Sequence, residues 1–372
     1  MRLGIKGAIA AAAGLAGVAA LVRVGTDLSS AMGASTTAIV PHAKGSARYR
    51  GKRFHNTEPS SQFVTTRSSI VTSLLTRGRL GRPRSPIPLA TPLAPAQPAE
   101  LAVTWYGHSS ALIEIDGHRV LTDPVWSHRV SPSRLVGPAR LHPTPVGIDA
   151  LPQIDAVVVS HDHYDHLDKA TVMALVRTQR APFVVPKGIG AHLRHWGVPD
   201  DRIIELDWDE QTTVGALTLT CTEARHFSGR GLVRNPTLWS SWVIAGPQRT
   251  VFFGGDTGYT PRFAEIGRRH GPFDLTLLPV GAYDEHWPDI HMNPEEAVRM
   301  HADLNQGESG SGVLVPVHWA TFNLAFHPWA EPVTRLLAAA GEVDTKVSVP
   351  MPGQRIDVLR PPSQRQWWLR LA

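Results

Sequence analysis

The chain has 372 residues, which is enough for one large domain or for a domain with an appendage. A hydrophobic fraction of 42% and a charged fraction of 19% are typical of a folded globular protein and exclude an intrinsically disordered one. The single cysteine, Cys221, excludes an internal disulfide framework and a zinc site built from several thiolates.

Charge is divided unevenly along the chain. Residues 1–100 contain 13 lysines and arginines against 3 acidic residues, whereas residues 101–372 contain 24 basic and 29 acidic residues. A basic arm beside a mildly acidic body favours an anionic membrane surface as partner, and a basic solvated linker is the alternative. We expect no nucleic-acid partner, because proteins that bind nucleic acid usually carry a basic footprint on the folded domain.

The N-terminus has the composition of a targeting or anchoring segment. After the charged start MRLGIK, residues 7–22 form an apolar run, and small residues follow at 31–34. This order is typical of a secretory signal peptide or an uncleaved anchor. An ordinary helix is the alternative, because the run is shorter than the roughly 20 residues of a membrane span. We therefore expect residues 1–35 to be a signal peptide or membrane anchor, and the protein to be membrane-associated or exported and not cytoplasmic.

The rest of the chain divides into an arm and a folded domain. Residues 36–98 are rich in Pro, Arg, Ser and Thr without periodicity, which predicts a basic, Pro-rich arm or linker, and we expect the domain to span residues 99–372. Strands are predicted at 102–105, 111–115, 119–121, 154–159, 183–185, 217–222, 239–244, 250–253, 275–278 and 313–317. Helices are predicted from a cap at Asp168 through 170–176, and at 262–269, 294–302 and 329–340. This alternation indicates an α/β (α+β) sandwich and not an all-β barrel.

Four of the predicted strands lead into side chains that bind metals. The strand at 154–159 is followed by His161, His163, Asp165 and His166, and the strands at 217–222, 250–253 and 313–317 are followed by His226, Asp256 and His318. Side chains at one edge of neighbouring strands can converge on a point without being close in sequence. The pattern therefore predicts one site built from several strand ends.

The residue types and their spacing favour two metal ions. His161 and His163 are two positions apart, so they point the same way in an extended segment, while Asp165 and His166 offer ligands to a neighbouring ion. Imidazole and carboxylate ligands without thiolates suit zinc, iron or manganese. Asp256 lies between two small residues, which let its carboxylate approach both ions. We expect a catalytic centre that keeps a ligand position open for water.

Segments around these ligands carry a family resemblance. They are residues 103–108 (VTWYGH), 121–124 (LTDP), 131–138 (SPSRLVGP), 151–168 (LPQIDAVVVSHDHYDHLD), 204–208 (IELDW), 253–259 (FGGDTGY), 271–275 (GPFDL), 279–283 (PVGAY), 294–299 (PEEAVR) and 317–322 (VHWATF). They resemble the metallo-β-lactamase superfamily and, within it, the N-acyl-phosphatidylethanolamine-hydrolysing phospholipase D (NAPE-PLD) family. The resemblance covers about residues 99–345 and, more loosely, an element at residues 53–56 (RFHN) in the arm.

The resemblance implies a fold, a cofactor and a reaction. The fold would be an αββα sandwich, and the cofactor two Zn²⁺ ions, with Fe or Mn as alternatives. By matching position, His161, His163 and His226 would hold one ion, Asp165, His166 and His318 the other, and Asp256 would bridge them. The reaction would be phospholipase D-type hydrolysis of an N-acyl-phosphatidylethanolamine-like lipid by a metal-bridging hydroxide.

Three further residues are candidates for roles beside the metals. We expect Asp165 and His291 to be the catalytic residues. His291 matches a family active-site histidine and is the candidate for protonating the leaving group, with a surface histidine as the alternative. Asp123, after a strand, is a candidate for orienting a metal-bound imidazole, and a turn-forming aspartate is the alternative. His108 has the same two interpretations. Asp162 departs from the family, which more often has Asn at this position, but it is not a ligand.

Other side chains offer less specific signals. Arg225 and Arg230 flank His226, where an arginine could bind phosphate, and exposed charges without a function are the alternative. Six tryptophans are candidates for contacts with acyl chains, although core packing is the commoner role: Trp126, Trp239, Trp242, Trp287, Trp319 and Trp329.

The sequence alone leaves several functions open. Another metallo-hydrolase of the same fold is the main alternative: a lactonase, a thioesterase or a weak β-lactamase. A two-iron oxidoreductase is disfavoured, because it would usually carry a carboxylate in place of His163. A membrane-tethered binding module that lost activity is disfavoured by the complete ligand set. We expect an enzyme with a phospholipid or other phosphodiester substrate, and the oligomeric state stays open.

Overall fold

The computed structural model of the chain describes residues 28–61, 63–64, 80–308, 310–363 and 365–372. The strands in these residues are β1 (Tyr49–Arg50), β2 (Arg53–Phe54), β3 (Leu101–Gly107), β4 (Ser110–Ile115), β5 (His118–Thr122), β6 (Ala156–Val158), β7 (Phe183–Pro186), β8 (Ile203–Leu206), β9 (Gln211–Val214), β10 (Leu217–Thr222), β11 (Ser241–Ala245), β12 (Thr250–Phe253), β13 (Leu275–Pro279), β14 (Val313–Val317) and β15 (Arg355–Asp357). The α-helices with both ends described are α1 (Thr36–Ala43), α2 (Lys169–Thr178), α3 (Ile189–His195), α4 (Arg262–His270), α5 (Pro294–Leu304) and α6 (Glu331–Glu342).

Two mixed sheets form the framework. One has seven strands in the order β15-β3-β4-β5-β6-β7-β8, antiparallel from β15 to β5 and parallel from β5 to β8. The other has six strands in the order β14-β13-β12-β11-β10-β9, antiparallel from β9 to β12 and parallel from β12 to β14. Parallel neighbours need crossover connections, and helices α2 to α5 lie in four of the five connections between parallel neighbours.

The sheets pack face to face between layers of helices. The largest hydrophobic cluster joins residues of both sheets, such as Val103 and Phe252, to residues of α4, α5 and α6. A second cluster joins the outer face of the seven-stranded sheet to α2 and α3, through residues such as Val157 and Leu175. The αββα sandwich that the resemblance implies is confirmed.

Local sequence explains the elements nearest to the candidate site. β6 is buried on both faces, which suits its run of Ala and Val in a parallel stretch of sheet. Asp168 caps α2 by accepting a hydrogen bond from the Ala170 amide, as its position predicts. Asn293 and Glu296 form a capping box at the start of α5, which fixes where the preceding loop ends.

Strand directions bring the candidate ligands to one edge of the sandwich. β10, β12 and β14 run the same way, because two antiparallel steps separate β10 from β12 and β14 is parallel to β12. By the same argument β3, β5 and β6 run the same way in the other sheet. The carboxyl ends of these six strands lead into the loops that carry the seven predicted ligands, His108 and Asp123, whereas His291 lies in the loop after β13.

The described part of the arm lies on the domain. Ile39 and Ala43 of α1, Phe54 of β2 and Ile87 are buried. Phe54 donates its amide hydrogen to the Asn235 carbonyl and so joins the β1–β2 hairpin to the loop after β10. The segment therefore contributes apolar contacts to the folded unit.

The localisation that the N-terminus predicts is wrong. A membrane-associated or exported protein was expected, held by a signal peptide or anchor in residues 1–35. No helix among the described residues is long and apolar enough to cross a membrane. The apolar run at 7–22, on which the expectation depended, lies outside the described residues.

Candidate metal centre

Three histidines form the first group of potential ligands. The Nε2 atom of His161 lies 2.8 Å from Nδ1 of His163, and Nε2 of His226 lies 3.4 Å from the same Nδ1. The three nitrogens lie within 4.8 Å of one another, which is close enough to share one ion. They come from the loops after β6 and β10, in different sheets, so the fold itself assembles the group.

A carboxylate and three more histidines form the second group. Oδ2 of Asp165 lies 3.5 Å from Nε2 of His166, 3.4 Å from Nε2 of His318 and 2.9 Å from Nε2 of His108. All four side chains offer a ligand atom within 4.8 Å of the others. The structure therefore places Nε2 of His108 within hydrogen-bond distance of the Asp165 carboxylate.

Asp256 lies between the two groups. Its Oδ2 atom is 3.0 Å from Nε2 of His318 and 3.2 Å from Nε2 of His166. The same oxygen is 3.9 Å from Nε2 of His226 and 4.0 Å from Nε2 of His161. One carboxylate thus faces nitrogens of both groups, which is the placement of a bridging ligand.

Gly255 allows this approach. Its φ is 57°, and a Cβ atom there would lie 2.4 Å from Cβ of Ser160 and 3.0 Å from the Ser240 carbonyl oxygen. Only glycine fits both the left-handed backbone and the lack of space. The loop after β12 can therefore lie against the loop after β6, with Asp256 beside His161.

Hydrogen bonds from outside the cluster set the orientation of the rings. Asp123 accepts from Nδ1 of His166 at 2.6 Å and from the amide and hydroxyl of Ser160, each also at 2.6 Å. The carbonyl of Ile290 accepts from Nδ1 of His226 at 2.8 Å. In both rings Nδ1 donates to an oxygen outside the cluster, so Nε2 is the atom that faces the cluster. The carboxylate of Asp123 and the carbonyl of Ile290 therefore select the tautomer that can bind a metal.

Three of the strand ends that carry the site have a strained backbone. His108, Asp123 and His318 have φ values of 53°, 33° and 60°, which non-glycine residues rarely adopt. Each such conformation costs about 1–3 kcal/mol and persists only where the surrounding structure holds it. The strain is therefore a feature of how these three side chains are directed inward.

The carboxylates within the cluster favour positive charge on the neighbouring imidazoles or on bound cations. Burial lowers the pKa of His166, but the carboxylates of Asp256, Asp165 and Asp123 outweigh it and raise that pKa well above its usual value. Burial likewise lowers the pKa of His318, and Asp256 and Asp165 raise it to about 9. Metal ions would replace the protons held by these imidazoles, because a metal ligand must be deprotonated.

The buried polar atoms fit divalent metal ions. Well-aligned hydrogen bonds are missing, among the described residues, at Nε2 of His166, Oδ1 of Asp256, Nδ1 of His291 and Nε2 of His318. An unpaired buried polar group costs about 1–3 kcal/mol. Imidazole nitrogens and carboxylate oxygens without thiolates are a donor set for zinc, iron or manganese. The seven predicted ligands thus form a His/Asp cluster that could bind metal, while their assignment to individual ions stays a prediction.

A cleft opens onto the cluster. Its volume is about 280 Å³, and its polar wall includes His163, Asp165, Asp256, His291 and His318. Its apolar wall is formed by Phe227, Ala282, Trp287, Ile290 and Leu324. An amphiphilic molecule could therefore place a polar group at the cluster and apolar groups beside it.

His291 lies at the boundary between the cluster and the cleft. Its Nδ1 atom is 3.8 Å from Oδ2 of Asp256, and burial lowers its pKa to about 4. The ring is therefore neutral near pH 7 and can donate one N–H to a group in the cleft. This location differs from that of a surface histidine, which was the alternative interpretation.

The two arginines beside His226 are engaged elsewhere. Arg225 donates to the carbonyls of Pro59 and Tyr259 and pairs with Asp289 at 2.9 Å. Arg230 is buried and donates to three backbone carbonyls, those of Asp162, Leu167 and Ala31. Binding of phosphate by either guanidinium would break these contacts, so the structure gives that expectation no support.

Most of the six tryptophans pack in the core, which is the commoner role, and other apolar residues line the cleft. Of the six candidates for acyl contact, Trp287 lines the cleft, whereas Trp239, Trp242, Trp319 and Trp329 are buried in the core. Trp126 packs near Tyr106 and donates to the Val146 carbonyl. Phe227 and Leu324 line the cleft and were not predicted, since a single apolar residue in a loop carries no sequence signal.

Comparison with known families decides the classification. A family model described as a β-lactamase superfamily domain matches residues 118–319, more than half of the chain. The chain belongs to the β-lactamase superfamily. With its His/Asp cluster, it is a metal-dependent hydrolase of this superfamily.

The chain is similar in sequence to two curated proteins. It is 57% identical over 371 residues to a protein of Mycobacterium tuberculosis named as uncharacterized, covering 98% of this chain and 99% of that protein. It is 37% identical over 234 residues to N-acyl-phosphatidylethanolamine-hydrolyzing phospholipase D 1 of Caenorhabditis elegans. That match covers 60% of this chain and 64% of the worm protein, slightly less than two thirds. The resemblance to the NAPE-PLD family is confirmed as a similarity of sequence.

A solved structure agrees with the fold. The structure of Igni18, a metallo hydrolase from Ignicoccus hospitalis, matches with a TM-score of 0.53 and 23% sequence identity. The match covers 69% of this chain and 97% of the archaeal chain. At this identity it supports the shared sandwich and nothing finer.

Proposed function

We propose that this hydrolase is a binuclear zinc phosphodiesterase that cleaves N-acyl-phosphatidylethanolamine-like lipids in the manner of a phospholipase D. The observation that carries the proposal is the position of Asp256, whose Oδ2 faces nitrogens of both ligand groups at 3.0–4.0 Å. A bridging carboxylate suits a pair of ions acting on one phosphate group. The lipid assignment is supported by similarity to the worm phospholipase D and by the apolar wall of the cleft.

The proposed ligands would hold two ions. His161, His163 and His226 would bind one ion, Asp165, His166 and His318 the other, and Asp256 both; iron or manganese would suit the same donors. Two such ions lower the pKa of a water molecule and neutralise charge on phosphate oxygens.

The other residues would prepare the substrate and the ligands. Asp123 holds His166 in the tautomer that presents Nε2, and His108 donates to Oδ2 of Asp165. Burial lowers the pKa of His108 to about 3, so this ring is neutral and its contact with Asp165 is a hydrogen bond. His291 would donate its N–H to the departing oxygen of the substrate. Phe227 and Trp287 would contact the apolar part of the lipid.

A panel of substrates tests the proposal. Zinc-loaded protein is assayed with N-acyl-phosphatidylethanolamine in mixed micelles, bis(p-nitrophenyl) phosphate, a lactone, a thioester and a β-lactam. We expect hydrolysis of the phosphodiesters, with an N-acylethanolamine released from the lipid. Turnover of only the lactone, the thioester or the β-lactam would assign the chain to another branch of the superfamily.

A ligand variant shows whether the activity belongs to the cluster. His163→Ala removes a side chain of the first group, and we expect it to abolish phosphodiester hydrolysis. His195→Ala, an exposed histidine at the end of α3, is the matched control and should keep the wild-type rate. Equal rates for the two variants would show that the hydrolysis does not depend on the His/Asp cluster.

A further inference from the structure

Asn56, in the arm that precedes the domain, contacts the backbone of His226 on both sides. Its Nδ2 atom donates to the His226 carbonyl at 2.8 Å, and the His226 amide donates to its Oδ1 atom at 3.2 Å. A side-chain amide has one acceptor and two donor hydrogens, so it can pair with the N–H and the C=O of one residue as a neighbouring strand would. The backbone of a proposed metal ligand is thus held by a residue 170 positions earlier in the chain.

Asn56 is itself held in place. Its amide also donates to Oγ of Ser60 at 2.7 Å, and its Oδ1 accepts from Nε1 of the buried Trp239 at 3.0 Å. Two residues earlier, Phe54 is buried and exchanges hydrogen bonds with Asn235 at 2.9 and 3.2 Å. The side chain of Asn56 is therefore fixed by its own segment and by the domain.

The segment of residues 56–61 also contacts a second loop of the site. The amide of Ser61 donates to Oδ2 of Asp289 at 2.8 Å, and Asp289 pairs with Arg225 at 2.9 Å. Asp289 lies two residues before His291, and Arg225 lies directly before His226. Residues 56–61 thus connect the loop of one proposed ligand to the loop of the proposed proton donor.

We infer that Asn56 is a positioning residue for His226, through which docking of the arm and metal binding at the first ligand group are coupled. The inference rests on the metal centre of the proposed function and is independent of the substrate. The ring of His226 is oriented by the Ile290 carbonyl, and its backbone by Asn56, so both ends of the residue are fixed. Residues that orient metal ligands from outside typically contribute on the order of tenfold or more to metal affinity.

The effect of Asn56 is confined to one of the two ligand groups. His166 is supported by Asp123, and the His318 amide donates to the His108 carbonyl at 3.0 Å. Neither support involves the arm. Loss of Asn56 should therefore weaken one bound ion more than the other, whereas a general loss of stability would weaken both.

The experiment is a cobalt titration of the metal-free full chain, followed by the visible absorption of the bound ion and by metal content after dialysis. The wild type is expected to bind two equivalents. Asn56→Ala should bind one of the two on the order of tenfold more weakly and keep the other. Thr57→Ala is the matched control, since the exposed Thr57 lies in the same segment and its hydroxyl accepts a hydrogen bond from Arg48; it should titrate as the wild type.

Amide hydrogen exchange of the wild type and of Asn56→Ala supplies a second measurement. Coupling is reciprocal, so zinc should slow exchange at residues 54–61 of the wild type, and this protection should be absent in Asn56→Ala. The inference is overturned if Asn56→Ala binds both equivalents as tightly as Thr57→Ala, if it loses both equally, or if zinc leaves the exchange of residues 54–61 of the wild type unchanged. Wild-type protein that takes up no metal would overturn the proposed function as well.

Discussion

Asp123 determines which nitrogen of His166 faces the cluster. The carboxylate is fully buried and accepts from Nδ1 of His166 and from Ser160, so it has no oxygen that faces solvent. A metal-binding imidazole depends on the partner of its other nitrogen for both tautomer and ring angle. The interpretation of Asp123 as a mere turn residue does not account for these contacts.

Replacement of Asp123 by Asn should remove the carboxylate charge and change the tautomer of His166 while the backbone conformation at position 123 is kept. Asn tolerates the positive φ at this position, but its amide would turn an N–H toward Nδ1 of His166 and favour the tautomer that cannot bind through Nε2. We expect Asp123→Asn to lower zinc affinity about 10–100-fold in a competition with a chelator. Asp344→Asn, an exposed aspartate that also has positive φ, is the matched control. Wild-type affinity in Asp123→Asn would contradict the role.

His291 should affect the reaction and not the metals. Its Nδ1 atom faces Asp256 from 3.8 Å, and the ring lines the cleft. If it supplies a proton to the departing oxygen, His291→Ala should lower kcat about 10²–10⁴-fold while metal content stays at the wild-type level. Metal loss in this variant would make His291 a ligand, and an unchanged kcat would remove it from catalysis.

At the scale of elements, α5 links the loop of His291 to the six-stranded sheet. His301 of α5 is buried, contacts the hydroxyl of Thr276 in β13 at 2.8 Å and lies 3.1 Å from the Ser311 carbonyl. Burial lowers its pKa to about 4. The helix is therefore held to the sheet by a histidine that stays neutral in the folded protein.

This histidine should make stability depend on pH. Above pH 6.5 neither state binds the proton; between pH 6.5 and 4 the unfolded chain binds it and the folded chain does not, so the free energy of unfolding falls as pH falls. From pH 7.5 to 5.5 the loss from this group is about 1.4 kcal/mol. We expect urea unfolding of metal-free protein to show a pH effect smaller by that amount in His301→Gln. An equal pH effect in both proteins would show that His301 titrates as it does in the unfolded chain.

Elements with strong local patterns were predictable, and those formed by tertiary contacts were not. β6 follows from a continuous apolar run and α2 from its cap at Asp168. β9 is a polar edge strand with alternating exposure, and β15 has only three residues that pair with β3, so neither has a sequence signal. The strand predicted at 239–244 begins at Ser241, because Trp239 and Ser240 bond to the loops after β10 and β6.

At the scale of the whole molecule, the metal centre joins two sheets and the arm. The histidine motif after β6 could be found from sequence because its ligands lie within six residues, and strand order suggested its partners. The contact of Asn56 with His226 and the cleft wall at Phe227 could not be found, because they depend on how distant segments pack. Resemblance to a family supplied the substrate class, which the spacing of ligands alone leaves open.

The most direct test of the proposed binuclear mechanism is the rate of N-acylethanolamine release as a function of zinc bound per chain. Metal-free protein, verified by elemental analysis, is titrated with zinc, and lipid hydrolysis is measured at each bound stoichiometry. The binuclear mechanism predicts no turnover without metal and full activity only as the second equivalent binds, because Asp256 faces both ligand groups. Turnover by the metal-free protein, or none at two bound equivalents, would contradict it.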